Sequence, residues 1–94
     1  MKDSSKELSQ ANELAVGALV FLAADPDRLG RFLALTGIEP QTIRLAAREP
    51  GFLAGVLDHI AGDESLLLAF AEKNGIRPQD VSRARILIAG PALE

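Results

Sequence analysis

The sequence predicts an all-α protein, a compact bundle of five to six short helices. Three observations lead to this prediction. Ala and Leu, which favour helix, dominate the apolar residues, whereas Trp and Tyr are absent and only four Phe occur. Asp, Pro and Gly recur at positions where helices begin and end. The chain also repeats itself, which predicts two three-helix pseudo-repeats at an offset of 38 residues.

The repeat appears when residues 14–47 are laid over residues 52–85 without a gap. Eleven of these 34 positions are identical, and the likeness is strongest between "TGIEPQTIR" and "NGIRPQDVS". Repetition at a fixed offset indicates a reused supersecondary unit. We therefore predict a single helical domain over 1–94, with units at about 5–48 and 50–89 and frayed ends at 1–4 and 90–94.

The first helix of each unit is predicted over about 5–24 and 50–61. Ser4-Ser5-Lys6-Glu7 has the spacing of a capping box, and Pro50 suits the first helical position. The apolar run 14–24 follows two lysines, as in a signal peptide, but acidic residues interrupt the charged segment and the run is too short to span a bilayer. Because the run aligns with part of the second unit, we expect it to be a core helix.

The second helix of each unit is predicted over about 26–36 and 64–74. Asp25 and Asp63 stand at the N-cap positions, where a carboxylate accepts backbone N–H bonds. Gly37 and Gly75 stand where a helix end requires a left-handed residue.

Each glycine is followed by an isoleucine and then by a proline. Ile38 and Ile76 are expected to fold back onto the phenylalanines at 32 and 70. The third helices are then predicted to begin at Pro40 and Pro78 and to end near residues 48 and 89.

The two units differ most at Leu66-Leu67-Leu68, which replaces Arg28-Leu29-Gly30. Three consecutive leucines cover about 200° of a helix, more than one buried face needs. We predict that this helix is central in the domain and that the protein is a monomer. The alternative is a face shared with a partner, including a homodimer.

Two stretches carry a family resemblance: "FLAADPDRLGRFLALTGIEPQTIRLAAREPGFLAGVLDHI" and "DESLLLAFAEKNGIRPQDVSRAR". They resemble domain-of-unknown-function family 3572, a group of small uncharacterised alphaproteobacterial proteins. The resemblance runs from about Leu14 to Ile88. It implies a bacterial, cytoplasmic protein, and it supplies no activity and no catalytic residues.

The charge is spread in bands along the chain. The net charge is −3, yet residues 28–48 contain four Arg and one Glu. An acidic chain without a basic arm is not expected to bind nucleic acid strongly. The absence of Cys excludes disulfides and thiolate chemistry and fits a cytoplasmic location.

Few residues point to catalysis. His59, the only histidine, is expected at the edge of an apolar helix face, although a general base or pH sensor is the alternative. The carboxylates that lie closest together in the sequence are Asp25, Asp27, Asp63 and Glu64. Their position at helix starts explains them as caps, and the alternative is an acid/base pair or a divalent-metal site. We predict no enzyme, no cofactor and no metal ligand.

Gln41, Arg44 and Arg48 form the candidate partner surface. On the predicted third helix they fall within about 60° of one another, with Ile43, Ala46 and Ala47 facing inward. Such side chains suit an acidic protein surface or, in a helix-turn-helix, DNA. The prediction is a protein-protein interaction or adaptor module with an unknown protein partner and no membrane. The alternative is weak nucleic-acid binding through the helix that begins at Pro40.

Overall fold

Six α-helices make up the fold in a computed structural model of the chain, which describes residues 4–49 and 51–89. A short 3₁₀ turn, Pro40–Thr42, leads into the third of them. The helices are α1 Ser4–Ala23, α2 Pro26–Thr36, α3 Ile43–Ala46, α4 Phe52–Ala61, α5 Glu64–Asn74 and α6 Pro78–Ala89. The described residues contain no strand, so the all-α prediction is confirmed.

The centre of the fold is formed by α1, α4 and α6, which pack against one another. Small side chains on α1 let the other two helices approach closely. The core also takes branched side chains from α4 and α6, which are excluded from water. The fully or nearly fully buried members on these helices include Ala11, Ala15, Ala18, Leu22, Val56, Leu57, Ile60, Val81 and Ala84.

The outer helices α2 and α5 are attached to this centre through phenylalanines. The Phe32 ring of α2 lies 6.1 Å from that of Phe52, edge to face. The Phe70 ring of α5 lies 5.4 Å from that of Phe21 on α1. Burying one such side chain contributes about 1.5–3 kcal/mol, so each outer helix has one strong apolar anchor.

The ends of α2 follow from local side-chain chemistry. The Oδ1 of Asp25 accepts a hydrogen bond from the Asp27 amide at 3.0 Å, and Pro26 occupies the first helical position. At the other end Gly37 is left-handed, with a φ of 77°, and its amide donates to the Leu33 carbonyl at 2.8 Å. The predicted helix start and stop are both confirmed.

The ends of α5 use Asp and Gly again, with a different set of hydrogen bonds. The Oδ1 of Asp63 accepts from the Leu66 amide at 3.2 Å. Gly75 has a φ of 65°, and the Ile76 amide donates to the Ala71 carbonyl at 3.0 Å, which is the long bond of a Schellman motif. Ile76, like Ile38 after the first glycine, is partly buried and packs against the core. The superposition of the two whole units stays a prediction.

The third helices differ from each other, which corrects the predicted helix over 40–48. After the first glycine the chain forms the 3₁₀ turn and the single turn of α3, whereas α6 has 12 residues. The carboxylate of Asp80 accepts a hydrogen bond from the Arg77 amide at 3.0 Å and so caps α6, an interaction that lowers the pKa of Asp80. Thr42, at the equivalent place, bonds back to the Glu39 carbonyl and favours the tighter turn.

Burial explains the same difference. Val81 and Ala84 of α6 are buried in the centre of the fold. Ile43 and Ala46 of α3 are only partly buried, and none of the α3 residues is fully buried. Because helix stability in proteins comes mainly from packing of an apolar face, α3 stops after one turn.

The position of α5 corrects the expectation that it is the central helix. It buries Phe70 and Ala71, while Leu66 and Leu67 are partly buried and Leu68 is 50% exposed. One helix face suffices to hold α5 against the centre, so a third consecutive leucine is left at the surface. The monomer prediction depended on a central α5 with its leucines buried, and the exposure of Leu68 removes that support.

Several sequence-based expectations fall outside the described residues. These concern the side chains of Ser4 and Ser5 in the capping box, Pro50, and the two ends at 1–3 and 90–94. Ser4 itself is the first residue of α1, and the second unit's first helix begins at Phe52. No described helix combines the length and the apolar character needed to cross a bilayer.

Candidate functional site

The predicted partner surface lies in the segment 40–49, which connects the two halves of the fold. Gln41, Arg44 and Arg48 are all exposed there. The Gln41 side-chain amide donates to the Glu39 carboxylate at 3.2 Å. Ion pairs among the described residues join Arg28 to Asp25, Arg77 to Asp80 and Arg85 to Asp58, and none uses Arg44 or Arg48.

Leu45 adds an apolar side chain to this surface that the sequence-based prediction missed. Its exposed fraction is 64%, and it lies between the two arginines in sequence. Ile43 and Ala46 pack against the core and hold the segment in place. Leu45 points away from the core because it follows Ile43 by two residues, about 200° around a helix. Ala47, expected to face inward, is exposed.

The same segment gives no support to the nucleic-acid alternative. A recognition helix lies in the major groove and contacts bases from its N-terminal part. The four residues of α3 extend only about 6 Å. The described structure therefore lacks the long helix after Pro40 on which that alternative depended.

A polar cleft that the sequence did not reveal lies between α2 and the junction of α4 with α5. Its volume is about 240 Å³. His59 is partly buried at this cleft, and its ring lies 5.1 Å from the Phe32 ring, edge to face. The residues that line it are Asp27, Arg28, Arg31, His59, Asp63, Ser65 and Leu66.

His59 is held towards its neutral form. Burial is the main cause that lowers its pKa below 6.5, the nearby Arg31 lowers it further, and Asp63 opposes both. The cleft brings Ser65 and Asp63 to the same place, a grouping that spacing did not indicate. None of the side-chain hydrogen bonds within the described residues joins His59 to either of them, so no nucleophile–base pair is assembled.

Asp25 and Asp63 act as helix caps, as predicted. Asp27 and Glu64 lie in the first turns that follow, where negative charge is favoured by the helix dipole. Within the part of the chain that the structure describes, no group of three or more acidic, His or Cys side chains is arranged to hold a metal ion.

Arg28 contacts both α1 and the N-cap of α2. Its guanidinium carbon lies 4.5 Å from the centre of the Phe21 ring, and its Nε lies 3.8 Å from the Asp25 carboxylate. These contacts hold the start of α2 against α1. Arg31, one turn later, is exposed beside the cleft.

Comparison with known proteins identifies a family. The family model described as "Protein of unknown function (DUF3572)" matches residues 8–91. The chain belongs to this family. The match includes both glycine corners, the segment 40–49 and His59. No curated protein and no solved structure matches the chain.

Membership of DUF3572 confirms the resemblance on which part of the sequence analysis rested, and it assigns no activity to any residue. In this member of DUF3572, candidate binding residues are therefore sought among the side chains that the fold exposes. Sequence patterns indicated Gln41, Arg44 and Arg48. Sequence patterns did not indicate Leu45, Arg31 or Ser65. Their exposure or grouping depends on neighbours distant in the chain and is visible only in the folded structure.

Proposed function

We propose that this member of DUF3572 is a protein-protein interaction or adaptor module, and that it binds through Gln41, Arg44, Leu45 and Arg48. We call these four residues the α3 surface. The observation that carries the proposal is the 64% exposure of Leu45 beside two exposed arginines.

The composition of the α3 surface suits a binding interface. Arginine is enriched at protein interfaces, because its guanidinium forms several hydrogen bonds while its stem packs on apolar groups. An apolar side chain that becomes buried on binding contributes about 25 cal/mol for each Å² removed from water. Burial of Leu45 can supply this apolar contribution to the binding free energy, and hydrogen bonds from Arg44 and Arg48 can fix the orientation of the partner.

The charge of the segment indicates an acidic partner. The segment 40–49 contains two Arg and one Glu and so has a net charge of +1, although the whole chain has a net charge of −3. Opposite charge across an interface speeds association and excludes like-charged competitors. The proposed partner is therefore a protein that presents carboxylates around an apolar pocket or groove.

The remaining parts of the proposal rest on the sequence. We place the protein in the bacterial cytoplasm, following the alphaproteobacterial resemblance and the lack of Cys. We assign it binding without catalysis, because the polar cleft lacks a hydrogen-bonded nucleophile and base. We also propose that its two units are pseudo-repeats, a reading supported by Asp caps and left-handed glycines at equivalent positions.

Site-specific photo-crosslinking tests where a partner binds. A photoreactive phenylalanine analogue is placed at Leu45 or, as the matched control, at Leu68, which is also exposed but lies on α5. Cells of the native host are irradiated, and each captured protein is then purified and tested again with the purified domain.

The proposal predicts an adduct with a purified acidic protein from position 45 that is absent from position 68. The adduct should also be lost in Arg44→Glu/Arg48→Glu. Equal adducts from both positions, or an adduct that survives the charge reversal, would contradict the assignment of the α3 surface. Capture of nucleic acid from position 45 would favour the alternative.

A further inference from the structure

The outward side of α1 carries apolar side chains that the described part of the fold leaves uncovered. Val16 is 48% exposed and Val20 is 61% exposed, and both lie within the 20-residue helix α1. A shallow depression of about 510 Å³ runs along the same side and includes Leu8 and Val16. We call this side the α1 outer face; its exposed residues are Leu8, Ser9, Glu13, Val16, Val20 and Ala23.

The periodicity of α1 explains why these residues share a face. Ser9, Val16 and Ala23 are seven residues apart, so they follow one another along the helix with a drift of only about 20° per step. The core-facing side, with Ala15 and Ala18, lies on the opposite side of the helix. The α1 outer face is therefore a separate surface and not the edge of the core.

The charge on this face is very low. Glu13 is the only charged residue between positions 8 and 24. A partner of opposite charge would find little on this face to recognise, in contrast to the α3 surface. A nearly uncharged apolar face suits a surface that is itself apolar and nearly uncharged, and a second copy of the same face meets that requirement provided that the two Glu13 carboxylates are kept apart.

We propose that the α1 outer face binds a second copy of itself, and that the two α1 helices run antiparallel about a two-fold axis near Val16. A two-fold contact needs only one surface, because each copy contributes the same residues. A helix of 20 residues is about 30 Å long and about 10 Å wide. Two copies would bury roughly 800–1,000 Å² in total, at the low end for specific interfaces.

Glu13 decides the relative direction of the two helices. In a parallel pair the two Glu13 carboxylates would face each other at the same level, where like charges repel. In the antiparallel pair they are separated by about 9 Å along the axis, since each lies three residues from Val16. That distance is close to the screening length at physiological salt, so the repulsion is small.

The small area predicts a weak dimer with a dissociation constant in the micromolar range. Sedimentation equilibrium from about 10 to 500 µM should show the mass rising from 10.0 kDa towards twice that value. Val20→Glu, which would place a further carboxylate beside Glu13 of the second copy, should weaken the dimer at least tenfold and leave the helical circular dichroism unchanged. The control Leu45→Glu makes the same kind of change at an equally exposed side chain on α3 and should leave the dimer intact.

The lack of cysteine in the chain permits a sharper test of direction. Val16→Cys, next to the axis, should form a disulfide-linked dimer under mild oxidation. Ser9→Cys and Ala23→Cys should each stay monomeric, because their two copies lie about 20 Å apart, far beyond disulfide reach. A mixture of Ser9→Cys with Ala23→Cys should cross-link.

Each other result overturns the proposal. Cross-linking of Ser9→Cys alone and of Ala23→Cys alone would indicate a parallel pair. A wild type that stays at 10.0 kDa over the whole concentration range would show that the α1 outer face has no second copy on it. A dimer that survives Val20→Glu and is lost in Leu45→Glu would place the contact on the α3 surface.

Discussion

The guanidinium group of Arg28 lies over the ring of Phe21, with 4.5 Å between the guanidinium carbon and the ring centre. The Phe21 ring also packs against that of Phe70, with 5.4 Å between the ring centres. One aromatic side chain on α1 thus contacts both outer helices, α2 through the arginine and α5 through the second ring.

Replacing Arg28 with alanine should lower the free energy of unfolding by about 0.5–1.5 kcal/mol. The cation–π contact accounts for most of this, because an exposed ion pair such as that with Asp25 contributes little. Arg31→Ala removes the same kind of side chain from the same helix and should change stability by less than about 0.5 kcal/mol. Urea denaturation of both variants measures the difference, and equal losses would show that the Phe21 contact is unimportant.

Gly37→Ala and Gly75→Ala should each destabilise the fold by about 1 kcal/mol. Both glycines have positive φ, and an added Cβ would meet no atom within 4 Å, so the loss comes from the backbone conformation alone. Gly30 has equal space but lies inside α2 without a positive φ. Gly30→Ala should therefore stabilise the protein by about 0.5–1 kcal/mol. Thermal and urea unfolding should give opposite signs for the two kinds of site.

These corners were predictable from the sequence because they depend on residues adjacent in the chain. The Asp cap bonds to the first turn of its helix, and the left-handed glycine with the isoleucine after it bonds to the last turn. The helices 26–36, 64–74 and 78–89 accordingly have the predicted bounds. The length of α3 was not predictable in this way. It depends on how deeply Ile43 and Ala46 are buried, and neighbouring helices determine that burial.

The candidate site was predictable in part for the same reason. Exposed arginines follow from composition and helical spacing. The exposure of Leu45 and the grouping of His59 with Arg31 and Ser65 require the final positions of α2, α4 and α5.

Leu67→Ala should destabilise the protein by about 1–3 kcal/mol, whereas Leu68→Ala should change stability by less than about 0.5 kcal/mol. Leu67 packs against the core, and Leu68 is half exposed on the same helix. Both variants make the same chemical change, so helix propensity is matched. Equal losses in urea denaturation would instead place Leu68 within the packed centre.

His59 should make the fold less stable in mild acid. Its pKa is lowered in the folded state, chiefly by burial and also by Arg31. The unfolded chain therefore binds this proton more readily, so stability is complete above about pH 6.5 and decreases as the pH falls below that value. His59→Gln should remove this component. Urea denaturation of both proteins between about pH 7.5 and 5.5 measures it, and identical pH profiles would show that His59 titrates normally.

The affinity of the purified domain for the partner captured at Leu45 tests the α3 surface most directly. Arg44→Glu/Arg48→Glu should weaken this affinity at least tenfold, equivalent to about 1.4 kcal/mol, and more so at low salt. The control Lys6→Glu/Lys73→Glu makes the same change in net charge at two exposed lysines on α1 and α5 and should stay within about twofold of wild type. Equal weakening by the two double variants would show that only net charge matters, and would contradict the account.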